Sequence, residues 1–161
     1  MFQTVSGSLN QALEIELGET LLIRVGTSSI GMLACQLAKT NKLKVISTTR
    51  NSEKEKALIK NGADLVIIDK GNISDSLKQY YPKGVDKVLE LVGTKTLKDS
   101  LKCIAYKGVV CMTGILGNEW TMSEFTPMGD IPSLGRLTVY MGESENLKKE
   151  SLQEFINVVE N

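Results

Sequence analysis

Short apolar runs alternate with amphipathic stretches along most of the chain, and this alternation restricts the possible folds more than any other feature. Six of the runs favour β-strands: 21–25, 44–49, 65–68, 86–91, 108–113 and 137–141. The stretches with apolar residues at helical spacing are 28–40, 52–59, 73–80, 94–105 and 147–159. Strands that are joined by helical crossovers pair in parallel. We therefore predict an α/β fold of the Rossmann type, a doubly wound, six-stranded parallel sheet with helices on both faces.

The segment from Gly114 to about Gly135 does not follow this alternation. It is too long for an ordinary connection inside a compact domain, and it contains Trp120, Phe125 and two prolines. Long segments of this kind usually carry function or are packed by their own side chains. We expect an irregular loop here.

Length and charge limit the organisation of the chain and its partners. A chain of 161 residues suits one compact domain, predicted to span residues 1–161. Basic and acidic residues each number 19, so the net charge is zero and no long-range field favours nucleic acid or an anionic membrane. Because there is no signal-peptide pattern and no run of about 20 apolar residues, we predict a cytoplasmic protein that binds neither nucleic acid nor membrane.

Residue types that usually carry catalysis or bind metal are scarce. Histidine is absent, which removes the most frequent general base and metal ligand. The cysteines Cys35, Cys103 and Cys111 form no Cys-x-x-Cys pair, so we interpret them as buried free thiols and expect no metal site. Glu90 is the carboxylate nearest the ligand-binding edge of the predicted sheet, and we interpret it as a strand-end partner rather than an acid or base. Catalysis would come from a cofactor or another polypeptide segment, and the catalytic residues stay unknown.

A glycine-containing turn joins the first predicted strand to the first predicted helix. Its residues are Gly26, Thr27, Ser28, Ser29, Ile30 and Gly31. In this fold the turn binds a pyrophosphate through backbone amides and the dipole at the helix N-terminus. Gly26 would allow the tight turn, Gly31 would allow close helix packing, and the Ser28 hydroxyl would donate to a phosphate oxygen. The alternative is that these are only turn and helix-capping residues.

The end of the second predicted strand selects the cofactor, because an acidic residue there binds the ribose 2′-hydroxyl of NAD. No carboxylate lies among residues 49–52. Arg50, with Lys54 one helical turn later and the Ser52 hydroxyl, could bind a 2′-phosphate instead. We therefore predict NADP(H) as the cofactor. The alternative is that the two cations merely solvate the start of a helix.

Small residues also follow the fourth and fifth predicted strands. Gly93 and Gly114 lie at the same edge of the predicted sheet, where a nicotinamide ribose could approach the backbone. Glycine is equally common at strand ends for turns alone.

Several motifs in order resemble a known family. They are GETLLIRVGTSSIGMLACQLAK, TTRNSEK, NGADLVIID, GVDKVLELVGTKTL and GVVCMTGILGN. Together they resemble the medium-chain dehydrogenase/reductase superfamily, and more narrowly its quinone oxidoreductase (zeta-crystallin-like) branch, often labelled zinc-binding alcohol dehydrogenase domain. The resemblance implies a diphosphate-binding turn at Thr27, Ser28, Ser29 and Ile30, a 2′-phosphate site at Arg50, Asn51 and Lys54, and nicotinamide-side loops near Gly93 and Gly114.

The resemblance has further implications for domain content and assembly. Members carry a GroES-like catalytic domain for which this chain has no room, and Met1 to Asn10 resembles the end of the helix that leads into the cofactor domain. The quinone oxidoreductase branch lacks catalytic zinc, and Asp69 stands where some relatives offer an aromatic ring to the adenine. Relatives pair the last strand across a two-fold axis, so the apolar edge strand from Leu137 to Met141 predicts a homodimer.

Residues and resemblance together lead to three functional hypotheses. The first is the NADP(H)-binding half of a zinc-independent oxidoreductase that transfers hydride to a quinone, enone or related carbonyl acceptor. Such a chain alone would bind NADPH with little turnover, because the small-molecule substrate pocket would form between two domains. The second is a non-catalytic NADP(H)-binding or redox-sensing module. A methyltransferase, the third, would need an acidic residue at the end of the second strand, which residues 49–52 do not supply.

Overall fold

The computed structural model describes residues 1–142, which form six strands and the helices that connect them. The strands are β1 (Thr20–Ile23), β2 (Lys44–Thr49), β3 (Leu65–Ile68), β4 (Val85–Glu90), β5 (Ile104–Met112) and β6 (Arg136–Val139). The helices are α1 (Phe2–Ser6), which continues as a π-helical turn (Gly7–Ala12), α2 (Ser29–Thr40), α3 (Glu55–Lys60), which follows a 3₁₀ turn (Ser52–Lys54), α4 (Ser74–Tyr80), α5 (Thr94–Leu101) and α6 (Pro127–Asp130). The predicted helix 147–159 lies outside the described residues.

The strands form a single sheet whose order is β3-β2-β1-β4-β5-β6. Every pair of neighbouring strands is parallel. The chain therefore builds outward from β1 to β3, crosses back, and continues outward on the other side from β4 to β6. This order confirms the predicted doubly wound Rossmann sheet and places its topological switch point between β1 and β4.

Two apolar layers cover the two faces of the sheet, as predicted. Leu21 and Ile23 of β1 lie in one layer, and Leu22 lies in the other, because successive side chains of a strand point to opposite faces. The first layer includes Ala34 of α2, and the second includes Leu77 of α4. Since both faces are covered, the apolar residues Leu21, Leu22 and Ile23 of the central strand β1 are fully buried.

The boundary between α5 and β5 differs from the prediction. Helix α5 ends at Leu101 rather than at 105, and β5 begins at Ile104 rather than at 108. Ile104 pairs with Val85 of β4, and its side chain lies in the second apolar layer. The register then shifts before Val109 pairs with Lys87, which leaves the intervening residues as a bulge. The other strand ends differ from the predicted ones by no more than two residues.

Between β5 and β6 the chain is irregular apart from the short helix α6, as expected. The side chain of Thr94 donates to the Glu119 carbonyl, and that of Lys98 donates to the Glu124 carbonyl and forms an ion pair with Asp130. These contacts fasten the loop to α5. Among the helices of residues 1–142, none is both long enough and apolar enough to cross a membrane.

Candidate cofactor-binding cleft

A cleft of about 860 Å³ lies along the carboxyl ends of five neighbouring strands. Its lining, taken across the sheet from β3 to β5, is Asp69, Lys70 and Gly71, then Thr48, Thr49, Arg50, Asn51 and Lys54, then Val25 and Thr27, then Val92, Lys95 and Thr96, and finally Leu116 and Gly117. The cleft therefore spans the switch point between β1 and β4, where open α/β sheets bind their ligands.

The turn after β1 has its left-handed residue at Val25 rather than at a glycine. Val25 has a φ of 63°, whereas Gly26 is not among the residues with positive φ. The Val25 amide donates to the Thr48 hydroxyl at 3.0 Å, and the Gly26 amide donates to the Thr48 carbonyl at 2.9 Å. These bonds hold the turn against β2. Glycine at position 26 lets the turn approach β2 closely, because a Cβ there would lie 2.8 Å from the Ser47 side chain. It is not needed for a left-handed backbone.

Gly31 has the packing role that the sequence predicted. A Cβ at this position would lie 2.5 Å from the Val25 carbonyl oxygen and 2.8 Å from the Gly26 Cα. Both neighbours are backbone atoms, which cannot move aside as the end of a flexible side chain can. The start of α2 therefore approaches the turn as closely as it does only because residue 31 is glycine.

Ser28 acts as the helix cap. Its Oγ donates to the Val25 carbonyl at 2.9 Å and accepts from the Gly31 amide at 3.0 Å. Because the hydroxyl proton is used inside the turn, it is not free for the predicted bond to a phosphate oxygen. Of the other turn residues, Thr27 lines the cleft and Ser29 is exposed. Ile30 packs against the first apolar layer.

Arg50, Asn51 and Lys54, the predicted 2′-phosphate residues, all line the cleft beyond the end of β2. All three are exposed, and the cationic groups of Arg50 and Lys54 are accessible to a ligand in the cleft. Asn51 caps the following 3₁₀ turn, because its side-chain oxygen accepts from the Glu53 amide at 2.9 Å. The cap fixes the direction in which the chain leaves β2 and so places Arg50 and Lys54 on the same side.

Two further lysines line the cleft that sequence reasoning did not single out. Lys70 follows the end of β3, and Lys95 lies in the first turn of α5, next to Gly117. The rule that residues just beyond the carboxyl ends of parallel strands line the ligand site would have found both. Within residues 1–142, neither these lysines nor Arg50 and Lys54 form an ion pair with a carboxylate.

A buried arginine lies behind the cleft lining and bonds three of its residues, Asp69, Gly71 and Thr96. Arg24 directly follows β1, and its side chain is 0% exposed. Its guanidinium donates to both Asp69 oxygens, at 2.8 and 3.2 Å, and lies 2.9 Å from an Asp99 oxygen. Burial lowers the pKa of the guanidinium, but the hydrogen bonds and charge of Asp69 raise it to above its ordinary value overall. The arginine thus stays charged, and it ties β1 to the end of β3 and to α5.

Asp69 is the partner of that arginine rather than a free group facing an adenine. Its side chain is 6% exposed, and it also accepts from the Gly71 amide at 2.7 Å. Burial alone would raise the pKa of this carboxyl, but the hydrogen bonds and charge of Arg24 hold it below its usual range. Asp69 is therefore an anion whose charge is already balanced. Asp99 in turn accepts from the Ile73 and Ser74 amides and fixes the start of α4.

Glu90, the last residue of β4, is a strand-end partner, as predicted. It accepts from the Val92 amide at 2.7 Å and the Gly93 amide at 3.1 Å, and also from the hydroxyls of Thr96 and Ser100. Burial raises the pKa of this carboxyl, although the Ser100 bond and the charge of Arg24 oppose the rise. All of these donors belong to the loop after β4 and to α5, so Glu90 shapes that wall of the cleft.

Gly93 and Gly114 lie against each other. Gly93 has a φ of 100°, and a Cβ on it would lie 3.2 Å from the Gly114 carbonyl oxygen. A Cβ on Gly114 would lie 2.5 Å from the Leu91 carbonyl oxygen. Neither glycine lines the cleft itself; their neighbours Val92, Leu116 and Gly117 do. The two glycines allow the loops after β4 and β5 to pack together, and their predicted contact with a nicotinamide ribose stays a prediction.

The cysteines do not fit a metal site. Cys35, Cys103 and Cys111 are free and buried, which confirms the predicted buried thiols. Burial raises the pKa of Cys35 to about 11 and that of Cys103 to about 12, and it also raises that of Cys111. Thiolates are the metal-binding form. Within residues 1–142, no group of three or more His, Cys, Asp or Glu side chains is placed to hold a metal ion.

The family model and the relatives that match this chain in sequence are all dehydrogenases or oxidoreductases. Residues 29–159 match the family model described as zinc-binding dehydrogenase. Quinone oxidoreductase of Rattus norvegicus is 30% identical over 146 residues, which are 89% of this chain and 42% of the rat protein. Quinone oxidoreductase of Homo sapiens is 30% identical over 105 residues, which are 64% of this chain and 32% of the human protein.

The solved structures extend this agreement to the fold. Quinone oxidoreductase of Escherichia coli, in complex with NADPH, superposes with a TM-score of 0.78 at 27% sequence identity. The match covers 98% of this chain and 49% of the bacterial protein. The chain therefore spans less than half of the length of these three relatives.

Proposed function

The chain belongs to the zinc-binding dehydrogenase family, in the quinone oxidoreductase branch of the medium-chain dehydrogenase/reductase superfamily, and on this basis we propose that its cleft binds NADP(H). The observation that carries the proposal is the charge of the cleft. The chain has zero net charge, yet within residues 1–142 four cations line the cleft, and Asp69, the one carboxylate in that lining, is paired with Arg24. A ligand with several phosphates fits this distribution.

Strand order supports one direction for the dinucleotide. The pyrophosphate would lie at β1, where the first turn of α2 leaves the Ser29 and Ile30 amides without intrahelical partners. The adenosine 2′-phosphate would lie over β2, near Arg50 and Lys54. The nicotinamide would lie toward the ends of β4 and β5, near Gly93 and Gly114. The bound cofactor supplies hydride chemistry, and the protein's contribution is to orient it.

The test is a titration of the chain with NADPH and NADH. We expect NADPH to bind at least about tenfold more tightly, and we expect Arg50→Ala or Lys54→Ala to remove most of that preference. Lys56→Ala is the matched control, because Lys56 is an exposed cation on α3 that does not line the cleft. Equal affinities for the two dinucleotides in the unaltered chain would contradict NADP(H) selectivity.

For the whole protein we propose zinc-independent hydride transfer to a quinone, enone or related carbonyl acceptor, in line with the activity named for the relatives. In these enzymes the substrate pocket would form between the cofactor domain and a GroES-like domain. We accordingly propose that the 161 residues alone bind NADPH with little or no turnover. Measurable quinone reduction by this chain alone would contradict the proposal that the 161 residues have little or no turnover.

We also propose that the chain forms a homodimer through β6. This strand lies at one end of the sheet formed by residues 1–142, and it is only partly buried. An unpaired parallel edge offers a row of backbone donors and acceptors to a second copy.

A further inference from the structure

The ends of β2 and β3 bring Arg50 and Lys70 into the lining of the same cleft. Thr49 pairs with Ile68 in the parallel register, and the Asp69 amide donates to the Thr49 carbonyl at 2.8 Å. The two strands therefore end side by side, and the residues that follow them enter the same part of the cleft. Lys70 lines the cleft there together with Arg50 and Lys54.

Arg24 holds the chain on both sides of Lys70. The guanidinium donates to the Asp69 carboxylate before the lysine and, at 2.8 Å, to the Gly71 carbonyl after it. The Gly71 amide also donates to Asp69 at 2.7 Å, which closes a small turn around residue 70. Because Arg24 is fully buried, this clamp has a fixed position, whereas the Lys70 side chain is exposed to the cleft.

The charge of Lys70 is not balanced by its neighbour. Asp69 directs its carboxylate inward to Arg24, so the adjacent anion is already paired. No ion pair of Lys70 with a carboxylate exists within residues 1–142. Lys70 is therefore a cation without a carboxylate partner among the described residues, on a backbone segment that Arg24 holds in place.

We propose that Lys70 is a binding residue for the 2′-phosphate of an adenine dinucleotide, the third cation of a cluster with Arg50 and Lys54; this inference rests on the proposed function. The strand order favours the 2′-phosphate over the pyrophosphate. Lys70 follows β3, two strands away from the turn after β1, which is about 10 Å at the usual spacing between strands. Arg50 follows the strand between them.

The experiment compares Lys70→Gln with the unaltered 161-residue chain, using NADPH, NADH, 2′-AMP and 5′-AMP as probes at low ionic strength. We expect the variant to weaken NADPH and 2′-AMP about tenfold and to change NADH and 5′-AMP less than about twofold. Lys70→Arg should keep the preference for the 2′-phosphate. Lys60→Gln, an exposed cation on α3 outside the cleft lining, is the matched control and should change none of the four affinities.

The outcomes separate this inference from the proposed function. If the unaltered chain binds NADPH and Lys70→Gln binds it equally well, the inference is wrong and the proposed function stands. If the variant weakens NADPH and NADH by the same factor, Lys70 acts on the pyrophosphate or through the general field of the cleft, and the inference is again wrong. If the unaltered chain binds neither dinucleotide, the proposed function fails, and the inference fails with it.

Discussion

Val25 carries an unusual backbone conformation for its side chain. A β-branched residue at a φ of 63° costs about 1–2 kcal/mol. Two bonds hold this conformation: the Val25 amide donates to the Thr48 hydroxyl, and the Ser28 hydroxyl donates to the Val25 carbonyl. The strain lies in the turn that we assign to the pyrophosphate, where this fold normally uses glycine. Strain of this kind persists only where the surrounding structure holds it.

Replacing Val25 with glycine should therefore relieve strain. We expect Val25→Gly to leave the free energy of unfolding unchanged or to raise it by up to about 1 kcal/mol, since the relief exceeds the entropy that glycine adds to the unfolded chain. NADPH should bind at least as tightly, because a side chain is removed from the cleft. Urea unfolding and NADPH titration measure the two effects. Val92→Gly is the control, since Val92 lines the same cleft without a positive φ and should lose stability.

Because Asp69 pairs with Arg24, the free energy of unfolding should depend on pH in the acid range. The folded-state pKa of Asp69 lies below its usual value, so its contribution to stability is present above about pH 3.9 and is lost as pH falls through the lower, folded-state pKa. We expect Asp69→Asn to cost about 3 kcal/mol at pH 7, because it removes one partner of a buried ion pair. The difference from the unaltered chain should shrink below about pH 3.9.

Urea unfolding of both chains at neutral pH and at several acid values tests this dependence. Asp64→Asn is the comparison: the pKa of Asp64 is also held low, but its lysine partner, Lys39, is 36% exposed, so solvent screens the pair. Its loss should cost under about 1 kcal/mol. A difference for Asp69→Asn that is constant down to the lowest pH would show that the charge of Asp69 does not matter for stability.

At the scale of elements, propensity and spacing predicted β2 and β3 at their observed bounds but misplaced the boundary between α5 and β5. Ile104 and Ala105 follow Leu97 and Leu101 at helical spacing, so periodicity extends the helix across them. Ile104 instead begins β5, because it pairs with Val85 of β4. That pairing joins residues far apart in sequence and leaves no local signal.

The contact between α2 and the turn after β1 depends on a single missing Cβ. Gly31→Ala would place a carbon 2.5 Å from the Val25 carbonyl oxygen, so α2 must move away from the turn. We expect a loss of about 1–3 kcal/mol in stability and weaker NADPH binding, since the amides at the start of α2 would move with it. Gly129→Ala in α6 is the control, because the nearest atoms to its added Cβ lie 3.8 Å away.

Thermal unfolding and NADPH titration of these two variants provide the measurement. Unchanged stability for Gly31→Ala would mean that the turn accommodates the extra carbon, and the close packing assigned to this glycine would then be unnecessary.

At the scale of the whole molecule, the sequence predicted where the cleft lies but not the buried network of charges behind its lining. Strand order and the turn after β1 follow from ordered motifs, and Arg50 and Lys54 follow from their place after β2. The network around Arg24 joins residues 24, 69 and 99, whose proximity exists only after three crossovers have packed on the sheet. No spacing rule connects such positions. Zero net charge likewise conceals the local excess of cations in the cleft.

The proposed homodimer through β6 can be tested at two exposed apolar side chains. Val139 lies at the exposed end of β6 with 59% of its surface accessible, and Met141 just beyond it is 78% accessible. If β6 joins two copies, Val139→Asp should place two like charges near the two-fold axis and shift the chain to monomer. Light scattering at micromolar concentration reads the mass directly. Leu17→Asp is the control, since Leu17 is 76% exposed before β1 and should leave the mass unchanged. A monomeric mass for the unaltered chain would contradict the dimer, and an unaltered dimer in Val139→Asp would place the interface elsewhere.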